Sequence, residues 1–470
     1  MPNEPLLSEA KLKLLEQMRR SGAPGHSDAV GVQLPPRESP PPLSLSQEEV
    51  WRLDQTAGKL TSLHNESITI HRRGACDPEL VQRSLTEIVR RHEIWRTTYA
   101  EINGRLAQTI HPAPESFPLA VSDLRNLPES ERDKAAVALA TEDAKLPFNL
   151  ERGALVRARL ITLRDDKHRI SVTAHQSVVD GITVFDIFPT ELAAQYESFA
   201  SGKPSPLPEL RAQFADFACW QRQRLAGELR ESQLAYWQRK LRGELPVLNW
   251  PNGGARPAQQ TYRGAMHAFT MPRELVQSLK DLGLRESATL FMVLLSGLFA
   301  LLHRYTGQDD MIVGTLSPSG RKQSAFQRCM GYFLNPVALR ANISGNPSFR
   351  SLLAQMRETT LGAISNDDVP LGMIAEHLQF KPDPSRHSFF TVALSVAPDV
   401  APLPAGWSMT YMDVESGGAR WDLYIELSDR TEGLLGRAQY NPDLFTRVAM
   451  AQTIDDFQSL LNKIATAQEW

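Results

Sequence analysis

The segment HRISVTAH at residues 168–175 alternates polar and apolar side chains, and Gln-Ser-Val-Val-Asp-Gly follows it at 176–181. Alternation with a period of two predicts a β-strand with one buried face. An Asp-Gly pair favours a turn. We therefore expect a strand that ends near His175 and continues into a polar loop. If the strand geometry persists, His175 and Gln176 point to opposite sides.

Strand and helix patterns are mixed on both sides of this segment. Residues 154–163 alternate like the strand that follows them, whereas residues 78–92 and 182–199 have helical spacing, with Pro189 as a predicted kink. Further helical patterns occur at 208–225, 229–242, from 273 onward, at 289–304 and at 447–465, and further strand patterns at 309–317 and 420–441. Because strict βαβ alternation is missing, the pattern favours an α+β fold.

The composition is that of an ordinary globular protein. The chain has 470 residues and a net charge of −3, so it is long enough for two to four domains, and nothing points to nucleic acid or an anionic membrane surface. Three widely spaced cysteines predict neither a disulfide framework nor a zinc site. The longest apolar run, 290–302, is too short to cross a bilayer. Without a signal-peptide pattern or coiled-coil heptads, we expect a soluble, cytoplasmic monomer.

The N-terminal 42 residues differ from the rest. Residues 8–21 predict a short amphipathic helix, and the prolines that follow, up to residue 42, disfavour helix and sheet pairing. We interpret residues 1–42 as a helix and a Pro-rich linker.

Several common catalytic motifs are missing from the sequence. It contains no GxGxxG after a strand, no GxxxxGK[ST], no GxSxG and no HExxH. Nucleotide-cofactor chemistry, serine hydrolysis and zinc proteolysis are therefore disfavoured.

Seven stretches, in order along the chain, resemble the motifs of condensation domains of nonribosomal peptide synthetases. They are LSLSQEEVWRLDQ (43–55), RRHEIWRTTY (90–99), AHQSVVDG (174–181), FADFACWQ (214–221), MGYFLNPVALR (330–340), NDDVPL (366–371) and DPSRHSFF (383–390). The resemblance covers the chain from about residue 43 to its C-terminus.

This resemblance implies two chloramphenicol-acetyltransferase-like lobes in a V-shaped pseudo-dimer, with a tunnel between them. The N-terminal lobe, with the active loop, would span residues 43–222, and the C-terminal lobe 223–470. Donor and acceptor peptidyl carrier proteins would dock at the two mouths and deliver their substrates on phosphopantetheine arms. The family joins an acyl or peptidyl thioester to the amine of a carrier-bound amino acid. It binds no cofactor directly and needs no metal.

The family motif reads His-His-x-x-x-Asp-Gly, and here Gln176 occupies the place of its catalytic second histidine. His175 occupies the place of the first, which is usually structural. A carboxamide cannot take up a proton near pH 7 as an imidazole can, although its oxygen can still accept a hydrogen bond. The resemblance gives Asp180, before Gly181, a structural ion pair with Arg321. The alternative is that Asp180 only caps a turn.

Three further residues are candidates for contact with substrates in the tunnel. Asn335 lies in the stretch similar to the Gly-x-Phe-x-Asn motif, and Ser385 and Arg386 lie in the last motif. Backbone hydrogen bonding by Asn335 and a surface salt bridge by Arg386 are the alternatives.

Two functions remain open at this point, and whether the chain is an active enzyme is uncertain. The first is amide-bond formation, with Gln176 tolerated because substrate positioning supplies much of the rate. The second is a catalytically impaired domain that acts as a docking or recruitment module for carrier proteins or tailoring enzymes. A related acyltransferase that uses a soluble thioester is a weaker third possibility, because Gln176 harms it equally.

Overall fold

The computed structural model describes residues 33–56, 62–250, 255–387, 389–410 and 413–466. The helix predicted at 8–21 lies outside these residues. The strands are β1 (Asn65–Arg73), β2 (Thr97–Ile102), β3 (Arg105–Ile110), β4 (Leu119–Asp123), β5 (Val156–Arg164), β6 (Lys167–His175), β7 (Ala265–Pro272), β8 (Asp310–Ser317), β9 (Asn335–Asn342), β10 (Val392–Val396), β11 (Trp407–Thr410), β12 (Leu423–Arg430) and β13 (Gly433–Tyr440). The helices are α1 (Leu45–Thr56), α2 (Pro78–Arg91), α3 (Glu129–Lys145), α4 (Phe188–Ala200), α5 (Phe214–Arg224), α6 (Glu228–Lys240), α7 (Arg273–Arg285), α8 (Leu290–Thr306), α9 (Phe349–Ile364), α10 (Leu371–His377) and α11 (Arg447–Thr466).

The first sheet is built around β6, the strand that the alternating segment forms. Its order is β11-β1-β6-β5-β4, with β6 antiparallel to both β1 and β5. Residues 168–175 are all buried, because the alternating apolar side chains face one core while the polar ones are covered by neighbouring elements. At the end of the β1–β6 ladder, Asn65 pairs with His175. The start of β1 and the end of β6 therefore lie side by side.

The second sheet comes from the C-terminal half of the chain. Its order is β7-β13-β12-β10-β8-β9, with β10 parallel to β8 and β12 and the other pairs antiparallel. Each large sheet has its own apolar core, and α8, which holds the longest apolar run, is buried in the second one. The α+β fold predicted from the sequence is confirmed.

One strand from the C-terminal half of the chain joins the sheet formed by the N-terminal half. β11 follows β10 of the second sheet in the sequence, yet it pairs antiparallel with β1 at the edge of the first sheet. This crossing ties the two sheets together, and the sequence patterns did not predict it.

Two predicted helix details need correction. The helix predicted from residue 208 begins at Phe214, because the Gln213 and Asp216 side chains form a reciprocal capping box at that point. Pro189 lies inside a continuous helical run, 181–200, and the irregularity of that run is a π-helical turn at Thr183–Ile187, just before the proline.

The described end of the Pro-rich segment contacts the folded lobe. Arg37 donates to Glu93 at 2.7 Å and to both carboxylate oxygens of Asp216 at 2.9 Å. The amide of Gln108 donates to the carbonyl of Pro41 at 2.7 Å. These contacts hold the segment at 37–42 against the first lobe.

Within the described ranges, no single helix has both the length and the apolar character needed to cross a membrane. Only α7 and α8 taken together meet that test, by length and composition alone, and they are bent by 101° at the break between them.

Candidate active site

The loop after β6 separates its first two side chains. Gln176 begins a single 3₁₀ turn, Gln176–Val178, and its amide donates to the carbonyl of His64 at 2.7 Å. The Gln176 side chain is half-buried and lines a cavity. His175 is only 1% exposed and does not line that cavity. The structure therefore places the carboxamide on the cavity and the imidazole of His175 behind it.

His175 is held inside the first lobe. Its Nδ1 lies 2.8 Å from Ser177 Oγ and accepts from the Ser177 amide at 3.3 Å. Gln47, from the first motif, donates to the Ser177 carbonyl at 3.0 Å. These contacts fix the turn that presents Gln176.

A second, buried set of contacts fixes the end of the loop. Arg321 binds Asp180 through two parallel hydrogen bonds, Nε to Oδ2 at 2.9 Å and Nη2 to Oδ1 at 2.7 Å. Thr183 donates to Asp180 Oδ1 through its amide at 2.8 Å and its hydroxyl at 2.9 Å. Arg321 Nη1 donates to the Cys329 carbonyl at 2.6 Å. We call Asp180, Thr183 and Arg321 the loop clasp; the Asp180 carboxylate is fully engaged in it.

The cavity lies between the two large sheets. Its volume is about 100 Å³, and its walls include β1, the loop at 176–185, β7, β12 and β13. An ion-pair network crosses it, because Arg437 Nη2 lies 2.7 Å from Glu426 and 3.7 Å from Glu66 of the first sheet. Burial raises the pKa of Glu66 despite the nearby Arg437. The cavity therefore has charged and polar walls, and both lobes contribute residues to them.

A buried cluster of Asp54, His64 and His175 adjoins this cavity. We call it the dyad cluster, after its two histidines. His64 Nδ1 lies 3.5 Å from Asp54 Oδ1, and His175 Nε2 lies 3.9 Å from the same oxygen. His64 is one of the residues that line the cavity, and its Nε2 is buried without a hydrogen-bond partner among the described residues.

The protonation states in the dyad cluster follow from burial. Burial lowers the pKa of His64 to about 4, although the hydrogen bond to Asp54 opposes this. Burial alone would raise the pKa of Asp54, but the neighbouring His175 and His64 imidazoles outweigh it and bring the pKa to about 2. At pH 7, His64 is neutral and Asp54 is ionised.

The same three residues bring donor atoms within 4.8 Å of one another. A tetrahedral zinc site would need ligand atoms about 3.3 Å apart, given bonds of about 2.0–2.1 Å. The contacts at 3.5 and 3.9 Å are longer, and His175 Nδ1 accepts from the Ser177 amide, which places the proton of the neutral ring on Nε2 and leaves no lone pair there for a metal. We interpret the cluster as hydrogen-bonded side chains rather than as a metal centre.

The three remaining candidates do not line this cavity. Asn335 Nδ2 donates to the carbonyls of Asp367 at 2.7 Å and Val369 at 3.0 Å, so it holds one backbone segment against another. The Ser385 amide donates to Asp383 at 2.8 Å. Arg386 pairs with the same Asp383 at 2.8 Å, as its alternative interpretation predicts. Their hydrogen bonds to protein groups, and not to the cavity, explain the difference from the expected substrate role.

Sequence reasoning missed His64 and Asp54. The only available signal was that His64 directly precedes the strand pattern of β1, while Asp54 stands in the first motif, ten residues earlier. Their meeting depends on how α1 packs against the 3₁₀ turn that follows β6, which no local pattern encodes.

Comparison with known proteins places this geometry in a family. The model of the condensation domain matches residues 38–469. A linear gramicidin synthase of Brevibacillus parabrevis is 36% identical over 435 residues, which are 92% of this chain and 6% of that protein. Phosphinothricin tripeptide synthetase PhsC of Streptomyces viridochromogenes is 33% identical over 469 residues, 99% of this chain and 43% of that protein. The chain thus spans less than half the length of these relatives.

Solved structures have the same fold over nearly the whole chain. The X-domain from teicoplanin biosynthesis is 26% identical, with a TM-score of 0.80, over 94% of this chain and 97% of that one. The complex of that X-domain with OxyB gives 26% identity and a TM-score of 0.78, over 94% and 96% of the two chains. The first condensation domain of the calcium-dependent antibiotic synthetase, at 20% identity, gives a TM-score of 0.79 over 91% and 97% of the two chains. This chain belongs to the condensation domain family of nonribosomal peptide synthetases.

Proposed function

We propose that this domain joins a carrier-bound acyl or peptidyl thioester to the amine of a carrier-bound amino acid. The observation that carries the proposal is the cavity between the two sheets, onto which the loop held by Asp180 and Arg321 presents Gln176. Donor and acceptor carrier proteins are the partners, and their phosphopantetheine arms hold the substrates. The cytoplasmic location and the monomeric state inferred from the sequence stay predictions.

Gln176 does not rule out this chemistry on energetic grounds. A thioester is already activated, and a free amine is already a nucleophile. Placing the two in contact supplies about 7–11 kcal/mol of the barrier. Losing a general base costs about 10²–10⁴ in rate, or about 3–5 kcal/mol. The contribution of substrate positioning is therefore larger than the loss from the missing base. The Gln176 side-chain oxygen can also accept a hydrogen bond from the amine.

The test is amide formation by the purified chain. Donor carrier protein loaded with an octanoyl or phenylalanyl group is mixed with a pool of acceptor carrier proteins loaded with the common amino acids, and products on the acceptor arm are detected by mass spectrometry. We expect amide products to form faster than in buffer. An acceptor whose amine is acetylated gives the control, since it has no nucleophile. Product formation no faster than in buffer across the pool would overturn the proposal.

A recruitment role is the second candidate, and one observation favours it. The X-domain that is 26% identical to this chain has been solved in complex with OxyB, so a domain of this shape binds a second protein there. Position 176 also lacks the family's catalytic imidazole. Under this function, the chain would bind a tailoring enzyme or a loaded carrier protein tightly without making product. Titration of the tailoring enzymes encoded beside this chain, followed by light scattering, distinguishes the two functions.

A further inference from the structure

The dyad cluster contains a histidine that belongs to the cavity wall at a position other than 176. His64 lies just before β1, and Gln176 lies just after β6, which pairs with β1. The amide of Gln176 donates to the carbonyl of His64 at 2.7 Å, so the two residues are backbone neighbours on the same wall.

The orientation of the His64 ring is set by Asp54. Nδ1 faces Asp54, which does not line the cavity. With its proton on Nδ1, the neutral ring has its lone pair on Nε2. Nε2 is buried and has no partner among the residues that the structure describes, so its capacity to accept a hydrogen bond is unused. Many acyl-transfer enzymes use a histidine as the base for the nucleophile. One ring nitrogen takes the proton, and a carboxylate holds the ring in place through the other nitrogen.

We propose that His64, oriented by Asp54, accepts the proton of the attacking amine in place of an imidazole at position 176. This inference rests on the proposed amide-forming function and names the residue that handles its proton.

The step balances without another reactant. The amine nitrogen attacks the thioester carbon, a C–N bond forms, and the carbonyl π pair moves to oxygen. The proton on that nitrogen passes to Nε2 of His64, and the imidazolium is stabilised by the Asp54 carboxylate. The oxygen pair then returns, the C–S bond breaks, and the thiolate of the donor arm takes the proton from Nε2. The products are an amide and a free thiol, and His64 is neutral again.

Groups from three elements act on the basicity of His64. Asp54 comes from α1, His175 from the end of β6, and Arg420 from the segment before β12. Burial of the ring and the positive charge of Arg420 lower the pKa of His64, so the resting ring is neutral and a weaker base than a free imidazole, whereas the Asp54 carboxylate acts in the opposite direction and favours proton uptake. Glu66 lines the cavity on the same side.

The test compares His64→Gln and His64→Ala with wild type in the amide-formation assay. We expect each variant to slow product formation by about 10²-fold or more. Added imidazole should raise the rate of His64→Ala but not of wild type, because it enters the space that the side chain left. His377→Ala, at an exposed site at the end of α10, is the matched control and should keep the wild-type rate and show no imidazole response. Thermal melting of every variant shows whether it is folded.

The outcomes separate the two proposals. Wild type that makes no product overturns the proposed function and with it this inference. Active wild type with an equally active, folded His64→Gln overturns the inference alone. A folded, slow His64→Ala that imidazole does not rescue also overturns it, since the loss would then be structural. A wild-type rate that falls on dialysis against EDTA and returns with zinc would overturn it as well, because the nitrogens would then be metal ligands.

The role of Asp54 as a positioning residue has its own readout. Asp54→Asn removes the charge that stabilises the imidazolium and should lower the rate at saturating substrate with little change in KM. Asp54→Glu keeps the charge and should recover part of the loss. Equal losses in the two variants would show that only packing matters at this position and would remove Asp54 from the proposal.

Discussion

The loop clasp and the dyad cluster are both buried and both contain a carboxylate, yet they are satisfied very differently. Asp180 receives four hydrogen bonds between 2.7 and 2.9 Å from Arg321 and Thr183. Asp54 has two histidine contacts, at 3.5 and 3.9 Å, and His64 Nε2 has no partner in the described part of the chain. A fully hydrogen-bonded ion pair fixes geometry, whereas a neutral imidazole beside a carboxylate leaves a ring nitrogen without a partner.

The largest expected effect breaks the clasp. Arg321→Ala leaves the Asp180 carboxylate buried without its cation, so we expect the free energy of unfolding to fall by about 3–5 kcal/mol in urea denaturation. Arg328→Ala is the control, because its pair with Asp186 is exposed and should cost at most about 1 kcal/mol. Similar losses in both variants would mean that the clasp is no more important than a surface pair.

The next prediction concerns the dyad cluster and the dependence of the free energy of unfolding on pH. His64 has a pKa of about 4 in the folded chain, against an ordinary value of 6.5. As the pH falls from 6.5 to 4, His64 therefore becomes protonated in the unfolded chain but stays neutral in the folded chain. The contribution of His64 to the free energy of unfolding is therefore fully present above pH 6.5 and decreases by about 3 kcal/mol as the pH falls to 4.

His64→Gln should remove that part of the acid sensitivity. His387, whose pKa burial lowers to about 3, is present in both proteins, so the difference between the two curves of unfolding free energy isolates His64. Parallel curves for wild type and variant between pH 6.5 and 4 would contradict the burial argument.

A smaller effect tests whether the clasp makes the loop rigid. A Cβ added at Gly181 would lie 3.0 Å from Cδ of Pro398, tighter than nearly all real contacts. If the loop cannot shift, Gly181→Ala should lower the free energy of unfolding by about 1–3 kcal/mol. The same substitution in Arg321→Ala should cost less, because the loop is then free to move. Equal costs in both backgrounds would show that the clasp does not hold the loop.

Much of the first lobe was predictable because its signals are local. Alternation predicted β5 and β6, and helical spacing predicted α2 to within one residue. The strand period predicted that His175 and Gln176 would separate if the strand continued; they do separate, but β6 ends at His175 and a 3₁₀ turn, not a continued strand, places Gln176 on the cavity. Predictions failed where a longer-range contact decides: the Gln213–Asp216 capping box shortens a helix, and β11 joins the sheet of the other lobe.

The candidate site divides in the same way. Family motifs brought Asp180 and Arg321 to attention, although 141 positions separate them. They could not identify His64 or Asp54 as a pair, since neither stands out by spacing or by neighbouring residues. The packing of α1 against the turn after β6 brings them together, and only the folded interior decides whether the His64 Nε2 and the Asp54 carboxylate have hydrogen-bond partners.

A double-mutant cycle between His64→Gln and Gln176→His tests the central claim most directly. If His64 handles the proton that position 176 cannot, an imidazole at 176 should restore amide formation in the His64→Gln background by a much larger factor than it raises the wild-type rate. The same factor in both backgrounds, in folded and active proteins, would show that the two positions act independently and would contradict a proton-accepting role for His64.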